Sequence, residues 1–148
     1  MYRQTFKQLS KDDLYAILKL RQDVFIVEQN SIYADLDELD QSAIHYLLKN
    51  TKQKLFGYAR YRQAPDKQII KIERVVLDKK SRGGGHGKDL INTMLTDIQD
   101  EYPHWPIMLS SQVDASEFYR RLGFVAFGKP YDDGGIEHIS MAYEAHDK

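Results

Sequence analysis

The chain contains no cysteine, which excludes disulfides, thiolate zinc sites and a cysteine nucleophile together. It also lacks histidines paired at ligand spacing, so no metal is expected. No apolar run approaches the roughly 20 residues that a bilayer-spanning helix needs. The opening residues, Met1 to Phe6, lack the apolar core of a signal peptide, and a cytoplasmic protein is the expectation. An excess of either charge is missing as well. The net charge is −1 and the isoelectric point is near 6.5, which argues against nucleic acid or an anionic membrane as partner. No repeat, low-complexity stretch or linker divides the 148 residues, so a single domain over 1–148 is expected. What is present is ordinary for a globular chain able to bury a core: 42% hydrophobic and 29% charged residues.

The order of elements predicts a mixed α/β domain. Tyr2–Leu9 reads as a short strand. Ser10 then has the character of an N-cap, with Asp12 and Asp13 in the first turn of a helix whose apolar stripe runs to about Gln29. An acid-rich loop follows, with Asp35, Asp37, Glu38 and Asp40. Strands are expected at Ala43–Lys49, Leu55–Tyr61 and Ile69–Leu77, separated by turn residues as an antiparallel meander. Leu90, Ile91, Met94, Leu95 and Ile98 form the stripe of a second helix, Lys88–Ile98. A strand at Ile107–Ser110, a helix at Ala115–Leu122 closed by Gly123, and strands at Phe124–Gly128 and Ile136–Tyr143 complete the order.

Between the third meander strand and the second helix lies Ser81-Arg82-Gly83-Gly84-Gly85-His86-Gly87. Four glycines in five residues cost backbone entropy. A flexible surface turn would explain an isolated cluster. This one opens a helix, where free N–H groups and the dipole attract anions and absent side chains let a phosphate reach the backbone. Arg82 and Lys88 add positive charge. The dinucleotide fingerprint fails, because the required third glycine falls on Lys88 or Leu90. The P-loop fails too, since it would need glycine at Arg82 and Ser or Thr at Asp89.

The spacing that fits is R-x-x-G-x-G over Arg82–Gly87, followed by Ala115-x-x-Phe118-Tyr119-x-x-x-Gly123-Phe124. Together, in this order and at this separation, the two motifs resemble the GNAT superfamily of N-acetyltransferases. Leu20–Gln29, Asp37–Asp40 with His45, Arg74-Val75-Val76 and Asp133–Met141 further resemble its ElaA/YjcF-like branch, so the resemblance covers the whole chain. Seven residues before the tyrosine, where the superfamily often has asparagine, this chain has Gln112. The resemblance implies a mixed, mostly antiparallel twisted sheet of about seven strands with helices on both faces. It implies acetyl-CoA as co-substrate, with pantetheine pairing with the backbone of Val75, Val76 and Leu77 between the fourth and fifth strands. The pyrophosphate would lie on Arg82, Gly83, Gly84, Gly85, His86, Gly87 and Lys88, with Gln112 as a further cofactor contact. It leaves room for a homodimer.

The chemistry so implied is attack of an amine on a thioester. The amine must lose a proton and the departing thiolate gains from one. Tyr119 stands where the family places the general acid, against the alternative of a core tyrosine. Alternation on Ile69–Leu77 puts Ile70, Ile72 and Val76 on one face and Glu73, Val75 and Leu77 on the other. Glu73 is then either a general base, acting directly or through water, or an ion-pair partner of Arg60 or another basic residue across the meander. His45 and His138 are candidates for the acceptor pocket, against the reading of each as a hydrogen-bonded structural residue. The loop carboxylates either attract a cationic amine or are simply solvated. Arg120 and Arg121 either reach coenzyme phosphates or coat an exposed helix face. The activity expected is acetyl transfer to a primary amine; the alternatives are a non-catalytic acyl-CoA sensor and an assembly scaffold.

Overall fold

The computed structural model describes residues 1–144. Strand β1 is shorter than its apolar content suggests, spanning Tyr2–Thr5. Thr5 and Gln8 stop it by a reciprocal capping box, which starts a 3₁₀ turn instead. Ser10 caps helix α1 (Lys11–Arg21), accepting from the Asp13 N–H. The helix runs on through a π-helical stretch, Gln22–Glu28. Its wider turns are visible in the i to i−5 bonds from Gln29 N to Val24 O and from Ser31 N to Ile26 O.

Strands β2 (Ile44–Lys49), β3 (Leu55–Gln63) and β4 (Ile70–Leu77) form the expected meander. The glycine loop leads into α2 (His86–Glu101), then β5 (Ile107–Gln112), α3 (Ser116–Arg121), β6 (Phe124–Asp133) and β7 (Ile136–Tyr143). The seven strands lie in the order β1-β2-β3-β4-β5-β7-β6. Only β4 and β5 are parallel neighbours. The mixed, mostly antiparallel sheet of the α/β reading is thus what forms. Helix α1 covers one face through Ile17, Leu20 and Val24. Helix α2 covers the other through Leu90, Ile91, Met94, Leu95 and Ile98.

One expectation about β4 is corrected. Tyr58 pairs with Val76 but Arg60 with Glu73, so β4 carries one residue more than β3 across this interval. That is a β-bulge, and Arg74 takes the left-handed φ of 57° within it. The bulge breaks the two-residue alternation. Ile70, Ile72, Val75 and Leu77 pack toward α2, while Val76 joins the α1 cluster. Val76 therefore does not share a face with Ile70 and Ile72.

Candidate active site

Strands β4 and β5 pair only at Ile70 with Ile107 and Lys71 with Met108. Beyond that point β5 continues its ladder with β7, from Met108 opposite Ala142 to Gln112 opposite His138. Strand β4 keeps its ladder with β3 as far as Leu77. The two parallel strands therefore splay apart, and their facing edges border a cleft of about 530 Å³. Val75, Val76 and Leu77 line it. A strand edge without a neighbouring strand holds N–H and C=O groups available to an extended ligand.

Tyr119 reaches the cleft from α3. Its ring is wedged edge-on between Phe118 and Phe124. The residue is buried, and burial alone pushes its phenol well above the usual value; no hydrogen bond contributes. It is therefore protonated across the neutral range and free to donate. Gly87, in the first turn of α2, lets α3 come this close: a Cβ there would lie 3.3 Å from the Phe118 ring.

Glu73 also lines the cleft. Arg62 donates to it at 2.7 and 3.1 Å and Arg60 at 3.0 and 3.2 Å. Burial acts to raise its carboxyl pKa, but bonds and charge from the two arginines outweigh that and hold it below the ordinary carboxylate value. The ion pair with Arg60, one of the two readings drawn from the sequence, is present. Behind it lies a larger network. Fully buried Arg21 bonds Asp35 and Asp40 at 2.8 Å each. Fully buried Arg60 holds Asp37 at 2.6 Å and Asp40 at 2.7 Å. Arg74 pairs with Asp35 and Asp37. Of the loop carboxylates, Asp35, Asp37 and Asp40 are thus neither simply solvated nor free to attract an amine; only Glu38 is exposed.

The two histidines separate. His138 lines the cleft, its Nδ1 bonded to Ile136 O at 2.8 Å and its ring stacked on Tyr131. His45 does not line it, which corrects the expectation for that residue. Its side chain is enclosed by β3 and the acid loop, with Nδ1 on the Tyr58 hydroxyl and Nε2 on Asp40 O. Gln112 lines the cleft and donates to Gln29 at 3.0 Å.

Arg82 is the member of the glycine-rich motif that lines the cleft. Its guanidinium donates to Leu77 O, at the end of β4, and to Glu28. Gly83 and Gly85 hold φ of 86° and 85° with open space where a Cβ would project. Gly84, Gly87 and Lys88 continue this rim at the start of α2, and His86 turns its ring onto Phe56. Arg120 and Arg121 pair with Glu117 on the exposed face of α3.

Sequence reasoning missed several cleft residues. Phe25 and Glu28 come from the π-helical stretch, Gln29 from its C-cap, Ser31 and Tyr33 from the loop behind it, and Lys71 from β4. Ser110 and Tyr131, also on the lining, bond to each other. The alternation on β4 that singled out Glu73 carried a signal for Lys71, two residues earlier on the same face.

Over residues 8–145 the chain matches the acetyltransferase (GNAT) domain family. UPF0039 protein sll0451 from Synechocystis sp. is 37% identical over 142 residues, which cover 95% of this chain and 92% of that protein. The crystal structure of Escherichia coli ElaA superposes with a TM-score of 0.89 at 32% identity, covering 97% of this chain and 98% of that one. An acyl-CoA N-acyltransferase from Pseudomonas aeruginosa gives the same TM-score at 31% identity, covering 97% of each chain. On this match and these relatives, the chain is a member of the GNAT acetyltransferase family, in the branch that contains ElaA.

Proposed function

We propose that the protein is an N-acetyltransferase that moves the acetyl group of acetyl-CoA to a primary amine by direct attack on the thioester. The observation that carries this reading is Tyr119 on the lining of the cleft where β4 and β5 part, its hydroxyl without a hydrogen-bond partner among the described residues. The free edge of β4 at Val75, Val76 and Leu77 takes the pantetheine arm by backbone pairing. The N-terminus of α2 and the loop Arg82 to Lys88 take the pyrophosphate, where open space at Gly83 and Gly85 suits a bulky anion. Gln112 contacts the cofactor arm, and His138 borders the acceptor.

In the reaction the amine lone pair attacks the carbonyl carbon, the C–S bond breaks, and the electron pair leaves on sulfur. Tyr119 donates to that sulfur as charge builds. The proton lost by the amine leaves through water. Glu73, whose lowered pKa makes it a weak base, acts by ordering that water. A cytoplasmic setting belongs to the same proposal.

Acetyl-CoA should raise the melting temperature, as any ligand that binds only the folded state does. Wild-type protein should release free thiol from acetyl-CoA in the presence of a primary-amine panel. No thermal shift with acetyl-CoA would remove the coenzyme reading. Binding without acetylation of any amine would favour a sensing module.

A further inference from the structure

The charged groups on the cleft lining fall into two classes. Glu73 is held by Arg60 and Arg62, Arg74 by Asp35 and Asp37, and Arg82 by Glu28. Each of these is neutralised within the fold. Lys71 and Asp133 also line the cleft, and neither has an ion-pair partner among the described residues. Their surroundings differ. Asp133 is exposed at the β6–β7 turn, where water screens it, whereas Lys71 is partly buried. It sits at the last paired position before the two strands part. Its cross-strand neighbour on β3 is Arg62, a like charge already committed to Glu73. Its neighbour on β5 is Met108. The apex of the cleft therefore holds one uncompensated positive charge. An ammonium group that no carboxylate on the protein engages is open to a ligand anion, with which it forms a charge-assisted hydrogen bond.

Lys71 and Glu73 alternate on the same face of β4, ahead of the bulge. Two residues along a strand separate their Cα atoms by about 6.6 Å. We propose that Lys71 determines acceptor specificity, selecting an amine that carries an anionic group, carboxylate or phosphate, at a distance on the order of 7 Å. The amine lies toward Glu73 and the anion on Lys71. The inference rests on the acetyltransferase reading above and deepens it by naming the acceptor class. It disfavours polyamines, which would bring a second positive charge to the apex.

The test compares amines of one chain length whose far end is anionic, neutral or cationic: 5-aminopentanoate and 4-aminobutyl phosphate, 5-amino-1-pentanol, and 1,5-diaminopentane. In wild-type protein kcat/KM for the anionic amines should exceed that for the neutral one by about tenfold, the scale of one charge-assisted hydrogen bond. The carboxylate and phosphate arms show which anion is preferred. Lys71→Met should bring the anionic-to-neutral ratio close to one, and Lys71→Arg should restore most of it. A ratio that is the same in wild type and Lys71→Met overturns the inference while leaving acetyl transfer intact. If no amine turns over, the acetyltransferase reading fails, and calorimetric titration of 5-aminopentanoate into the coenzyme A-saturated protein decides the inference. Tighter binding to wild type than to Lys71→Met supports it, and equal or absent binding overturns it. Melting curves of both variants confirm that each is folded.

Discussion

Tyr119 and Glu73 occupy the same cleft and are tuned in opposite ways. Burial drives the phenol up, and the guanidinium groups of Arg60 and Arg62 drive the carboxyl down. Both shifts favour the state present at neutral pH: a protonated donor and an ionised carboxylate. Full proton transfer from such a phenol to a thiolate, whose ordinary pKa is about 8.5, is uphill. In the proposed reaction Tyr119 therefore acts as a hydrogen-bond donor that strengthens while the C–S bond lengthens. Tyr119→Phe is expected to lower kcat by about 10² to 10³, the range for loss of one hydrogen-bond donor to the transition state. The acetyl-CoA dissociation constant should change far less, because the lost bond forms only in the transition state. Glu73→Gln should act elsewhere. It leaves Arg60 and Arg62 short of a counter-charge and disturbs the water that takes the amine proton, so kcat and the melting temperature should both fall. An unchanged kcat would remove Glu73 from the path of the amine proton.

At the scale of elements, the start of α2 joins strand geometry to ligand chemistry. Gly85 caps the helix with φ of 85°, a conformation that costs an L-residue about 1–2 kcal/mol. Nothing lies within 4 Å of the missing Cβ, so Gly85→Ala should fold. The expected loss is roughly 2–4 °C of melting temperature per kcal/mol, accompanied by weaker acetyl-CoA binding measured by titration calorimetry. Intact affinity would mean that the loop does not hold the phosphates. Local pattern made this element legible in advance. Glycine spacing, the helical stripe Leu90 to Ile98 and the Ser10 cap are all short-range signals, and the structure contains each. Three features were not legible, for physical reasons. The bulge at Arg74 places an arginine in a left-handed conformation without a glycine to announce it. The π-helical stretch keeps helical apolar spacing, so it reads as a continuation of α1. The partners of the acidic loop lie on α1, β3 and β4, and no spacing rule connects Asp37 to Arg60 or Arg74. The same distance effect hid the enclosure of His45, which depends on Tyr58 and a loop carbonyl.

Across the whole molecule, the buried arginine network ties the acid loop to α1, β3 and β4, and with it one wall of the cleft. Asp40 is its hinge, because one carboxylate oxygen serves both Arg21 and Arg60. Asp40→Ala leaves two buried guanidinium groups short of a partner, and removing one member of such a set costs about 3–5 kcal/mol. The network also sets how stability responds to acid. Burial opposes ionisation of Asp37 and Asp40, yet hydrogen bonds and charge from the arginines outweigh it and lower both, Asp37 to about 2. His45 is lowered by burial, so it stays neutral in the fold below its ordinary value of 6.5. All three folded-state values lie below the unfolded ones. Each group therefore contributes stability that is complete above its unfolded pKa and is lost as pH falls toward the folded value. The melting temperature should be level between about pH 6.5 and pH 9 and decline gently below pH 6.5 as unfolded His45 takes up a proton that the folded state refuses. It should fall more steeply below about pH 4, where the unfolded carboxylates begin to bind protons. His45→Gln should abolish the gentle limb and keep the steep one, while Asp40→Ala should lower the whole curve and flatten its acid end. A wild-type curve that stays level from pH 6.5 to pH 5 would mean that His45 is not held neutral by the fold.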